Sequence, residues 1–124
     1  MKTWQVWVVF AFALGATAIA RAHHSFPALF DPSKNVNVAG VVTEFQFQAP
    51  HCYIRVDVAD ESGAITEWEL ETTSPGQLIR IGVTPQTIKP GDSVAAVGNP
   101  SRDGRSLMRL LVLTMPDGEE KRIQ

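Results

Sequence analysis

From Val36 to Phe47 the chain reads Val-Asn-Val-Ala-Gly-Val-Val-Thr-Glu-Phe-Gln-Phe, alternating apolar and polar residues at both ends with Gly40 in the middle, where the phase changes. A period of two over this length predicts a long strand, bent or bulged at Gly40. Cys52-Tyr53-Ile54-Arg55-Val56-Asp57-Val58 alternates again, and Asp60-Glu61-Ser62-Gly63 is a turn leading into Ile65-Thr66-Glu67-Trp68-Glu69-Leu70-Glu71. These three segments predict a meander. Ser74-Pro75-Gly76-Gln77-Leu78-Ile79-Arg80-Ile81-Gly82 follows different rules: a capping serine, proline at the first helical position, arginine in the last turn and a terminating glycine predict a helix of about two turns. After the tight turn Lys89-Pro90-Gly91-Asp92, segments Ser93 to Gly98 and Ser106 to Met115 predict two more strands, joined by a loop containing Arg102-Asp103-Gly104.

Three strands, a short helix and two strands, with a strongly bent first strand, is the element order of a five-stranded OB-fold-like barrel, an all-β class with one helix. The residues expected to fill it are Val38, Val41, Phe45, Ile54, Val56, Trp68, Leu70, Leu78, Val94, Val97, Leu111 and Leu113. Such a barrel hosts many ligands, so its function must be argued from a site.

The first 22 residues lie outside this pattern. Lys2 and the amino terminus supply positive charge, Trp4 to Ala20 is interrupted by few strongly polar residues, and Ala20-Arg21-Ala22 places small residues where a signal peptidase reads them. Residues 1–22 are therefore expected to be a cleaved signal peptide, 23–35 an amino-terminal arm and 36–124 the barrel. An uncleaved anchor is the competing reading, and a second site at Ala18-Ile19-Ala20 would leave Arg21-Ala22 on the product. No later stretch is apolar enough to span a bilayer, so no stable membrane insertion is expected after cleavage.

Loss of Lys2 and Arg21 takes 11 basic residues to nine against 13 acidic ones, a formal charge of −4, and such a surface is not expected to seek nucleic acid. The 102 residues that remain suffice for one domain with a modest core. Cys52 is the only cysteine, so no intrachain disulfide staples the fold, and a buried apolar role is the commonest for a lone thiol.

His23-His24-Ser25-Phe26, Phe30-Asp31, Gly40-Val41-Val42, Pro50-His51, Trp68, Ser74-Pro75, Gly91-Asp92 and Asp103-Gly104 occur in an order that resembles a family of small exported bacterial proteins, a domain of unknown function. The resemblance covers nearly all of the mature chain. It implies an exported bacterial, periplasmic or secreted location and a small β-barrel, and it brings no activity or cofactor. Ala49 stands where that family commonly has Asn before Pro-His, and Cys52 is not part of its pattern.

All three histidines fall in two short motifs: His23 and His24, and His51. Imidazole suits copper, zinc, nickel and iron. Cleavage before His23 would give that residue a free α-amine beside its ring nitrogen, and His51 would supply a third nitrogen, a set resembling the histidine brace of exported copper proteins. His23, His24 and His51 are thus candidate ligands for copper or zinc, with His24 a third ligand or turned aside. Glu67, Glu69 and Glu71 share one strand face, and Glu69 is the candidate additional carboxylate. His51 and Cys52 are adjacent, so their side chains diverge if both lie in the strand, and Cys52 is left out of the site. A solvated arm, with His51 merely bonded to backbone in a turn, is the bland alternative.

No nucleophile elbow, His-Glu-x-x-His, phosphate loop or complete Cys-His arrangement is present, so an enzyme is the least favoured class. The runner-up to a metal-binding protein is a metal-free ligand-binding or interaction module that depends on loop residues such as Arg102 and Arg105.

Overall fold

The computed structural model describes residues 26–123. The expected leader, residues 1–22, and the candidate ligands His23 and His24 therefore lie outside the described residues. A single helical turn, α1 (Phe26–Leu29), precedes β1 (Val36–Gln46), β2 (Tyr53–Ala59), β3 (Ile65–Glu71), α2 (Pro75–Arg80), β4 (Ser93–Pro100), β5 (Leu107–Thr114) and a short β6 (Glu120–Arg122). The strand order is β3-β2-β1-β4-β5-β6, and a parallel pairing of β3 with β5 closes the first five strands into the expected OB-fold-like barrel. Among the described residues no helix is long and apolar enough to cross a membrane.

α2 forms where its end signals place it. Ser74 caps it by accepting from the Gln77 backbone N–H, Pro75 occupies the first turn, and Gly82, at φ 81°, ends it. Leu78 points into the barrel, and the Val83 N–H returns to the Leu78 carbonyl, which brings Val83 in beside it.

The core comprises Val38, Val42, Ile54, Val56, Leu70, Leu78, Val83, Ile88, Val94, Ala96, Met108, Leu110 and Leu113, with Phe30 and Ile123 sealing it from either end of the chain. Two bulges correct the expected inward set. In β1 the positions 36, 38, 40 and 42 face inward without a change at Gly40; the register breaks between Val42 and Glu44, where Thr43 is the extra residue. Val42 is consequently buried, and Val41 lies 44% exposed on the outside. In β5, Val112 pairs with Val97 but Leu110 pairs with Gly98, so Leu111 is the extra residue and is only half-buried, like Val97. Phe45 and Trp68 also pack against the core while remaining partly exposed.

Gly40 has a different task from the one expected. A Cβ there would fall well inside contact distance of the Asp57 carbonyl oxygen and 2.9 Å from Val56 Cγ1. Only a residue without a side chain lets β1 cross so close to β2 while it passes from one partner to the other, pairing with β4 through Val36 to Val41 and with β2 from Val41 onward. The sixth strand was not expected. Met115 to Glu119 forms a hairpin turn with Gly118 at φ 88°, and β6 is held by the Lys121–Leu113 pair and its neighbours.

Candidate functional site

The β2–β3 ladder runs past its named strands. The Cys52 N–H donates to the Thr73 carbonyl, and both the N–H and the hydroxyl of Thr72 donate to the Cys52 carbonyl, each at 2.9 Å. Strand alternation therefore extends to residues 51 and 52 and sends their side chains apart, as the sequence implies. Cys52 is fully buried in the core, with Sγ 3.6 Å from the Gln48 carbonyl, and burial raises its thiol pKa. His51 emerges on the outer face, with its side chain 41% exposed.

There His51 Nδ1 lies 2.7 Å from Glu71 Oε1. The carboxylate accepts only, so Nδ1 carries the proton of this short contact, and in a neutral imidazole the lone pair then sits on Nε2. His51 makes no other hydrogen bond among the described residues. Glu71 itself is nearly buried, at 8% exposure, a placement that a carboxylate tolerates only with partners. Tyr53, the next outward residue on β2, stands opposite Glu71 in the register. Burial, and then the nearby charges of Glu71 and Glu69, raise the Tyr53 phenol above its usual range. On the other flank, across the parallel pairing, Glu71 stands opposite Arg109 of β5. Burial lowers the Arg109 pKa and the charge of Glu71 opposes that shift; a guanidinium stays protonated at neutral pH regardless.

The adjacent row is a separate network. Arg55 Nη1 is 3.0 Å from Glu44 Oε2, and Arg55 Nε is 3.5 Å from Glu69 Oε2. Glu69, the expected additional ligand, is thus turned toward Arg55, while Glu71 is the carboxylate that meets His51. Glu67 is exposed. Among the described residues no group of three His, Cys, Asp or Glu is placed to hold a metal ion, so any such centre needs donors from outside them.

The arm is pinned to the β4–β5 loop. Phe30, 1% exposed, bridges to Ser101, and Asp31 N–H donates to the Pro100 carbonyl. Arg102 donates from its backbone to the Leu29 carbonyl at 3.0 Å and from Nε to the Pro27 carbonyl at 2.7 Å, with Nη1 3.8 Å from Asp31. Arg105 Nε is 2.7 Å from Asp103, whose pKa falls to about 2 under hydrogen bonds from the Ser101 hydroxyl and the Arg105 N–H. The two loop arginines that a ligand-binding module would use are therefore engaged in holding the arm and the loop. His23 stands three residues before Phe26, the first residue of α1, and an extended chain of that length would reach about 10 Å.

The architecture defines a small closed β-barrel of the OB-like class, with a polar row of His51, Tyr53, Glu71 and Arg109 on its outer face. Residues 11–108 match the model described as "Family of unknown function (DUF6152)", and the chain belongs to that family. This accords with the unknown-function family that its motifs resemble. A comparison with curated proteins finds no match. Among solved structures the chain is similar to the mitochondrial single-stranded DNA-binding protein Rim1 of S. cerevisiae, with 11% identity, 71% of this chain and 80% of that chain covered, and a TM-score of 0.44. That degree of likeness carries no statement about a ligand.

Proposed function

We propose that the protein is exported to the periplasm or beyond and binds a transition metal, copper first and zinc second, through His51 Nε2 and the amine and imidazole of a processed His23, with His24 as a further donor. The observation that carries this reading is the 2.7 Å contact between His51 Nδ1 and Glu71. A carboxylate on one ring nitrogen fixes the tautomer, holds the ring plane and raises the basicity of the other nitrogen, an arrangement common behind metal-ligating histidines. The His51 side chain is 41% exposed, which supports access of an ion to the ring. The leader grammar at residues 1–22 supports export, and cleavage before His23 supplies two donors from one residue.

Donor atoms must stand about 2 Å from the ion, so the nitrogens of His23 and His51 must come within roughly 4 Å of each other when metal is bound. The test has two parts. Intact mass of the exported product is expected to place its first residue at His23; a product beginning at Arg21 removes the amine-and-imidazole chelate of a single residue and presents Arg21-Ala22-His23, a three-residue amino-terminal chelate, in its place. Copper titration is then expected to show weaker binding in His23→Ala and His51→Ala, and a loss of about 10- to 100-fold in Glu71→Gln. Equal affinity in wild type and all variants would refute the metal reading and leave a metal-free ligand-binding or interaction module.

A further inference from the structure

We propose that the protein self-associates through the open edge of β1, with residues Val36 to Ala39 of two copies pairing antiparallel about a two-fold axis at Val38. The proposal is independent of the metal reading and uses described residues alone.

Over its first half β1 has a partner on one side only. It pairs with β4 from Val36 to Val41, whereas β2 joins its other side at Val41 and not before. The direction of each backbone group follows from the register. The Val42 N–H donates to the Asp92 carbonyl at 2.9 Å and the Val42 carbonyl accepts from the Gly91 N–H at 2.8 Å, so Val42 turns its polar backbone toward β4. The in-and-out alternation is unbroken from residue 36 to 42. Val36 and Val38 therefore turn the same way as Val42, while Asn37 and Ala39 turn their N–H and carbonyl groups to the side that β2 has left. Both residues are exposed. Donors and acceptors are thus arrayed along an extended strand, the template on which another strand pairs.

The composition of this edge selects the occupant. Val36-Asn37-Val38-Ala39 holds neither a charge nor a proline, the devices that ordinarily keep an edge from pairing. Open stretches elsewhere are charged: Glu44 on the second half of β1, Glu67 on β3, and Glu120, Lys121 and Arg122 on β6. An edge that pairs with itself meets its own charges across the axis, and like charges there oppose pairing. In a chain of formal charge −2 a bare edge therefore suits a second copy. The outer face beside it is bare as well, with Asn37, Ala39 and Val41 of β1 next to Ser93, Ala95 and Val97 of β4. The two-fold sets Asn37 opposite Ala39 of the second copy, twice, and each such pair exchanges both backbone hydrogen bonds. β5, β4 and β1 of each copy then join in one continuous sheet.

Sedimentation velocity of the exported protein over a range of concentrations tests this, and a reversible monomer–dimer equilibrium is expected. Ala39→Pro removes the outward N–H without touching the β4 ladder. It deletes half of the intermolecular bonds and is expected to weaken the dimer by about 30-fold. Ala95→Lys charges the neighbouring face, leaves the edge backbone intact and should stay within about threefold of wild type. Cysteine variants read the register and do not depend on the proline variant folding. Opposed residues stand about 5.5 Å apart at Cα and diagonal ones about 7–8 Å, beyond easy reach of a disulfide. Asn37→Cys mixed with Ala39→Cys is therefore expected to cross-link about tenfold faster under oxidised glutathione than either variant alone, with Cys52 buried and out of the exchange. Wild type that remains monomeric up to about 1 mM overturns the proposal. A dimer that Ala95→Lys abolishes and a folded Ala39→Pro does not, or single cysteine variants that cross-link as fast as the mixture, overturns it equally.

Discussion

Replacing Gly40 by alanine tests the account of how the first strand crosses the second. The added Cβ would overlap the Asp57 carbonyl oxygen and lie 2.9 Å from both the Asp57 carbonyl carbon and Val56 Cγ1. Ordinary carbon contacts need about 3.5 Å or more, so β1 and β2 must part by about 1 Å. Backbone cannot yield there as a flexible side chain would, because Val41 pairs with Asp57 and Val42 with Val56 in that same stretch. Overpacking strain of this kind costs about 1–3 kcal/mol, and two weakened ladder bonds add about 0.5–1.5 kcal/mol each. Against this stands about 0.4–1 kcal/mol gained by restricting the unfolded chain. The net loss should be about 3 kcal/mol, a large share of the ~5–15 kcal/mol that holds a domain together. Urea unfolding followed by far-ultraviolet circular dichroism measures it, with Gly76→Ala as the control. Gly76 lies in the first turn of α2 with nothing within 4 Å of its added Cβ, so that variant should equal or exceed wild type. Gly40→Ala within 1 kcal/mol of wild type would refute the close crossing.

Alternation that runs unbroken through Gly40 to Val42, with the bulge only at Thr43, expects Val42→Ala to cost about 2 kcal/mol and Val41→Ala less than about 0.5 kcal/mol in the same assay, the reverse of what a phase change at Gly40 implies. Cys52, buried and with its thiol pKa raised, should resist iodoacetamide at pH 8 in the folded protein and react fully in urea; equal rates in both states would contradict the core assignment. Asp103 has its folded pKa lowered from 3.8 to about 2, so its contribution is present above about pH 4 and lost as the pH falls toward 2. The melting temperature of wild type should accordingly fall toward that of Asp103→Asn over this range and stay above it at neutral pH.

The barrel was readable because its elements announce themselves locally. Alternation names the strands, and Ser74, Pro75 and Gly82 mark α2. The inward set was readable only up to the bulges. Val41-Val42 and Leu110-Leu111-Val112-Leu113 are apolar on either phase, so one extra residue reverses which face each presents without changing the composition of the segment. The divergence of His51 from Cys52 followed from alternation alone. The choice of Glu71 over Glu69 did not, although the signal lay in the turn. Ala59 pairs with Ile65, and counting outward from that pair brings residue 51 opposite Thr73, diagonal to Glu71 and four positions beyond the pair that Glu69 makes with Arg55. Arg109 had no such local marker. Its place beside Glu71 depends on a parallel contact made across α2 and the whole of β4.

That contact gives the site a place in time as well as in space. The meander β1-β2-β3 can form from neighbouring segments and would already set His51 against Glu71, whereas the parallel β3–β5 pairing must wait until the long intervening chain has returned, the slowest kind of contact to close. A chain caught before closure would hold the histidine and its carboxylate without the guanidinium that the finished barrel sets opposite Glu71. The charged surroundings of Glu71 would then be complete only with the last seam of the barrel, so the outer face of β2 and β3 would present, before and after closure, two different surfaces.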